Sequence, residues 1–131
     1  FPAFIPVPID GGTDTDLYLR WESNETYPGY RECFANGVNR REAAVLHATQ
    51  RPASVHQFDL DQTSGPPAWK GDVEVFSLIG TQDNVIPLAL QEFMSERADA
   101  EISRVEAGHL TLITHPGDVV KLILSAVDAT N

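Results

Sequence analysis

The sequence predicts an α/β fold, and three features of its second half carry that prediction. Two apolar, strand-like runs, 73–79 and 100–106, are each followed by an amphipathic helical pattern, 87–98 and 116–128. Pro87 and Pro116 fall where each helix starts, the position at which a missing N–H costs nothing. Gln62-Thr63-Ser64-Gly65-Pro66-Pro67 is the clearest linker and separates this regular half from an irregular one. Strand, helix, strand, helix implies a parallel βαβ unit with a right-handed crossover.

The irregular half, 1–68, is rich in Pro, Gly, Asp and Thr and is expected to lack long strands, in contrast to the regular half at 69–131. Phe1 to Ile9 is apolar but carries Pro2, Pro6 and Pro8, so it reads as extended. A short extended piece, Leu17 to Trp21, follows the turn-prone run Asp10 to Asp14. A helix over 30–35 is expected to end at Asn36-Gly37. Asn39 then reads as an N-cap with Glu42 at N3, a variant of the capping box. That helix is expected to stop at Thr49 or Gln50, because the residue before Pro52 resists helical geometry.

In the regular half, Leu90, Phe93 and Met94 share one helix face, and Val120, Ile123, Leu124 and Val127 share another. Met94 within its stripe is expected to be core. Two parallel strands do not make a sheet that stands alone, since parallel sheets are covered on both faces and need further pairing. The missing strands are therefore expected from an absent N-terminal portion, a second chain or a partner protomer. A chain opening on Phe1 without Met is expected to be a trimmed or processed piece.

Composition narrows the function classes. Hydrophobic residues make up 42% and charged residues 21%, values of a folded globular chain. The net charge is −10 and no basic run is longer than Arg40-Arg41, which argues against nucleic acid or an anionic membrane as partner. No apolar run reaches the roughly 20 residues of a membrane span. Cys33 is the only cysteine, so an internal disulfide is impossible, and it reads as a half-buried filler. The four histidines, His47, His56, His109 and His115, include no H-x-x-x-H pair, so no metal is expected. Asn24-Glu25-Thr26 matches a glycosylation sequon that nothing else in the chain supports.

Asp83 and His109 carry the chemistry. Each stands just past the carboxyl end of a predicted strand, where ligands and catalysis gather in open α/β sheets. A carboxylate and an imidazole delivered there from neighbouring strands are expected to meet as the orienting acid and general base of a nucleophilic triad. Taken singly, each has a plainer reading: Asp83-Asn84 suits a turn, and His109 suits a loop. No G-x-S-x-G occurs in the chain.

Two segments resemble a known family. Leu78-Ile79-Gly80-Thr81-Gln82-Asp83-Asn84-Val85-Ile86-Pro87 and Glu106-Ala107-Gly108-His109-Leu110-Thr111-Leu112-Ile113-Thr114-His115-Pro116 are similar to the C-terminal end of α/β-hydrolase fold proteins. The nearest branch is that of small-molecule esterases and hydroxynitrile lyase-like proteins, whose cap Gln50-Arg51-Pro52 also resembles. The resemblance implies a mostly helical cap at 1–68 and the C-terminal part of the α/β-hydrolase core at 69–131, with Asp83 as triad acid and His109 as general base. It implies a nucleophile elbow upstream of Phe1, with the oxyanion hole also outside the chain. It implies a small ester as substrate and no cofactor. Cyanohydrin cleavage and cofactor-free peroxidation are neighbouring chemistries on the same scaffold.

Other residues have bland readings. His115 reads as the residue at a helix start, and Trp21, Phe34, Leu46 and Phe58 as packing that can also line an acyl pocket. The function expected is the acid- and base-bearing part of a serine-type α/β-hydrolase. The alternative is a non-catalytic binding or assembly module that completes a partner's sheet.

Overall fold

In the computed structural model of the protein, residues 4–8, 15–23, 28–54 and 65–130 are described. The chain divides into two compact units, Phe1–Ser64 and Gly65–Asn131.

The first unit contains a three-stranded antiparallel sheet in the order β1 (Phe4–Pro8), β2 (Thr15–Leu19), β3 (Ala53–Ser54). The apolar start of the chain is thus paired as well as extended, with Phe4 opposite Leu19 and Pro8 opposite Thr15. Pro6 and Pro8 fall in β1, which lies at an edge of this sheet, the place where strand prolines are found. This sheet enlarges the helical picture drawn from the sequence, since Pro and turn residues mask strands this short. Helix α1 (Tyr30–Cys33) is a single turn, shorter than the expected 30–35, and Gly37 beyond it takes a positive φ of 88°. Helix α2 (Arg40–Thr49) is capped as expected. Asn39 Oδ1 accepts from the Glu42 N–H at 3.0 Å, and Asn39 Nδ2 donates to Glu42 Oε2 at 2.9 Å.

The end of α2 is tied to β2 through side chains. Gln50 Oε1 accepts from Leu19 N–H at 3.3 Å, and its Nε2 donates to Leu19 O at 3.0 Å, so an amide side chain acts as a short surrogate strand. Leu19, Tyr30, Cys33, Ala35, Val38 and Ala43 are buried in this unit. Tyr30 stacks near Trp21 and Phe34 and meets the His47 ring edge-on at 5.2 Å.

The second unit opens on a 3₁₀ turn, Ala68–Lys70, and is built on two parallel strands, β4 (Phe76–Gly80) and β5 (Glu101–Val105). Phe76 pairs with Glu101 and Gly80 with Val105. The apolar run expected as a strand from Val73 is paired only from Phe76. Its partner begins at Glu101, just after Asp99 turns the chain with a positive φ of 52°; Glu101 N–H still donates to Val75 O at 2.8 Å, and 73–74 precede the ladder. Helix α3 (Leu88–Arg97) connects the strands and packs on β4. Ser95 Oγ donates to Gln91 O at 2.8 Å, which leaves Ser77 as the donor in the 2.7 Å Ser77–Ser95 hydroxyl bond that pins α3 to β4. A single turn, α4 (Thr111–Thr114), which the sequence pattern did not reveal, precedes α5 (Pro116–Ala129). Pro116 opens α5 as expected, whereas Pro87 caps α3 from one residue outside it.

One expectation is corrected. Met94, read as core, is 45% exposed, with Leu90 at 46% and Phe93 at 58% beside it; the second apolar stripe, Val120, Ile123, Leu124 and Val127, is likewise exposed by 49% to 57%. The physical reason is the size of the sheet. Two short strands bury Ile79 and Ala107 but offer too little surface to cover two amphipathic helices. Among the described residues no helix is long and apolar enough to cross a membrane.

Candidate active site

The rim at the carboxyl ends of β4 and β5 is built from backbone outward. Past the strand ends the parallel ladder continues, with Thr81 N–H donating to Val105 O at 2.9 Å and Gln82 N–H to Ala107 O at 3.0 Å. These bonds hold the two outgoing loops side by side. Gly80 makes the approach possible. A Cβ there would lie 2.8 Å from Ala107 O, 3.0 Å from Thr111 Oγ1 and 3.1 Å from Gly108 O. Only a residue without a side chain fits so close to another backbone.

On one loop, Asp83 performs two tasks at once. Its Oδ1 accepts from Val85 N–H at 2.7 Å and from Ile86 N–H at 3.0 Å, closing the turn on itself. Its Oδ2 accepts from His109 Nδ1 at 3.0 Å. Asp83 thus closes its own turn through one oxygen and meets His109 through the other. On the other loop, Thr111 Oγ1 donates to Gly108 O at 2.8 Å and steadies the corner that presents His109.

The Asp83 side chain is 7% exposed and the His109 side chain 25%. A carboxylate buried at Nδ1 selects the tautomer with the proton on that nitrogen and leaves Nε2 as the proton acceptor. Two residues 26 positions apart in sequence thus meet at one rim. The resembling segments lie over these loops, and a model of the alpha/beta hydrolase family matches residues 1–122. The chain belongs to the α/β-hydrolase family. Neither a search of curated proteins nor a search of solved structures returned a match.

In this α/β-hydrolase the remaining histidines are His47, His56 and His115. His115 precedes α5, and its Nδ1 meets Thr114 Oγ1 at 2.9 Å. His47 belongs to the first unit, where its Nε2 meets Leu19 O at 2.8 Å inside the ring cluster of Trp21 and Tyr30. Of the residues considered for an acyl pocket, Trp21 and Phe34 pack on Tyr30, and Leu46 is half-buried on α2. Phe58 and His56 lie outside the described residues. Cys33 is buried in the first unit. Among the described residues no group of three or more His, Cys, Asp or Glu is arranged to hold a metal.

Sequence reasoning missed one side chain at the rim. Gln91, in the first turns of α3, directs its amide at the Asp83 loop. Its only sequence signal is a polar residue one helical turn after Pro87, which surface helices supply routinely.

Proposed function

We propose that this chain supplies the acid and base of a serine-type α/β-hydrolase of the small-molecule esterase and hydroxynitrile lyase-like branch, acting on a small ester. The single observation that carries the reading is the 3.0 Å contact between a carboxylate and an imidazole at the rim of two parallel strands. In this reading residues 1–68 form the cap and 69–131 the last part of the catalytic core. The nucleophile comes from an upstream segment or another chain, which also completes the sheet.

The chemistry follows from the pair. His109 Nε2 takes the proton of the serine hydroxyl as its oxygen bonds to the ester carbonyl carbon. Asp83 holds the imidazolium so formed. The proton then passes to the departing alkoxide as the ester C–O bond breaks, and water repeats the relay to release the acid. Two backbone N–H groups outside this chain hold the oxyanion. No cofactor enters this sequence of steps.

The test is turnover of an aryl ester by the protein that joins this chain to its nucleophile. His109→Ala is expected to abolish hydrolysis with the fold intact, and a variant that retained near-parent activity would refute the base assignment.

A second reading, a binding or assembly module that completes another polypeptide's sheet, is favoured by the exposed apolar faces of α3 and α5. An open groove of about 300 Å³ beside β4 and α3, lined in part by Val75, Phe76 and Met94, points the same way. Intact mass and a gel separate the two. A companion chain of roughly 100–150 residues bearing G-x-S-x-G supports the enzyme, and a single inert chain supports the module.

A further inference from the structure

We infer that Gln91 is a positioning residue that locks the acid loop and sets the carboxylate oxygen on which His109 rests. The inference rests on the hydrolase reading above and adds to it a residue on a different element. Gln91 Nε2 donates to Ile86 O at 2.7 Å and lies 3.2 Å from Gly80 O and 3.4 Å from Asp83 Oδ2. All three neighbours are acceptors, so the network itself assigns the nitrogen and the oxygen of the amide.

The placement of these acceptors gives the residue its role. Gly80 O is the last strand carbonyl before the loop, and Ile86 O lies just before α3, so one NH₂ group ties the loop's two ends together. Asp83 Oδ2 is the same oxygen that accepts from His109 Nδ1. Oδ1 is already held by two backbone N–H groups. Gln91 Nε2 shares its two hydrogens among three acceptors, so its 3.4 Å approach to Oδ2 is the weakest of the three and acts with the two loop-end bonds to hold the carboxylate toward the imidazole. Gln91 contacts the acid loop, so its effect on His109 is expected to pass through Asp83. Its helix is anchored for this task, since Gln91 N–H donates to Pro87 O at 3.1 Å and Gln91 O accepts from Ser95 Oγ at 2.8 Å.

Two measurements test this. In the chain as it stands, ¹⁵N-labelled, the ring resonances of His109 report the bond to Asp83 without any need for turnover. Gln91→Met, which keeps length and removes both donors, is expected to shift those resonances while His47 and His115 stay in place. In the nucleophile-bearing protein the same substitution is expected to lower kcat about tenfold with KM held within about twofold. Gln91→Glu, which turns a carboxylate toward three oxygens, is expected to lower kcat further. Unmoved His109 resonances, or an unchanged kcat, overturn the role assigned to Gln91. So does a loss of kcat that appears only together with a loss of folded protein. Should Asp83→Ala and His109→Ala both keep full turnover, the hydrolase reading itself fails, and the positioning role falls with it. Should they abolish turnover while Gln91→Met is silent, only the Gln91 inference is lost.

Discussion

Gly80→Ala is the smallest perturbation that separates the two halves of the pair. The added methyl would sit 2.8 Å from Ala107 O, whereas ordinary contacts begin at 3.4 Å, so about 0.6 Å of movement is needed. Two of the three atoms it meets are backbone, and the third, Thr111 Oγ1, is bonded to Gly108 O, so none swings aside cheaply. Taken up by the His109 corner, that movement opens the 3.0 Å contact to as much as about 3.6 Å, beyond a working hydrogen bond. A displacement of about 1 Å near chemistry costs on the order of 10²-fold, so kcat is expected to fall about 10- to 100-fold. The ceiling is the full loss of the orienting acid, about 10⁴-fold. Overpacking is also expected to destabilise the unit by about 2 kcal/mol, several degrees in Tm for a domain of this size. Aryl ester kinetics and a melting curve on the same preparation read both effects. A variant within about twofold of the parent in kcat, with an unchanged Tm, would refute the argument from close approach.

Further outcomes follow from other contacts. Asp83→Asn keeps an acceptor for Val85 and Ile86 but turns an N–H toward His109 Nδ1, favouring the wrong tautomer; kcat is expected to fall about 10⁴-fold, and a loss under about tenfold contradicts the assigned role. Asn39→Ala removes the cap of α2 and is expected to cost about 1 kcal/mol in urea denaturation, with Asn39→Asp restoring most of it; equal stability of all three proteins counts against the cap. Burial raises the Tyr30 phenol above its ordinary 10.0. Folding therefore favours the neutral phenol, so its contribution is complete below pH 10.0 and is lost as pH rises through the higher folded value. Tyr30→Phe is expected to lose less stability than the parent between about pH 8 and pH 11, and identical losses in the two proteins dispose of that account.

Much of the site was legible because its signals are local. A strand, a turn residue and a helix-starting proline recur in order, so Asp83 and His109 were singled out from their positions beyond two strand ends. Asn39 and Glu42 were readable for the same reason, since a cap spans four residues. Gln91 was not, because its meaning depends on where a loop folds back, and nothing in a helical Gln announces that. The strand β1 was hidden behind Pro6 and Pro8, which are harmless only once that strand is known to be an edge.

The amino-acid order alone determined the alternation of strands and helices, the two loops that bear Asp83 and His109, and the exclusion of a disulfide within the chain. Tertiary structure decided what depends on distance between remote residues: the 3.0 Å bond, the division of labour between the two Asp83 oxygens, and the crowding at Gly80. It also decided that the apolar faces of α3 and α5 lie open. Periodicity tells which face of a helix is apolar, but burial requires a surface to bury against, and that surface is a property of the assembled sheet.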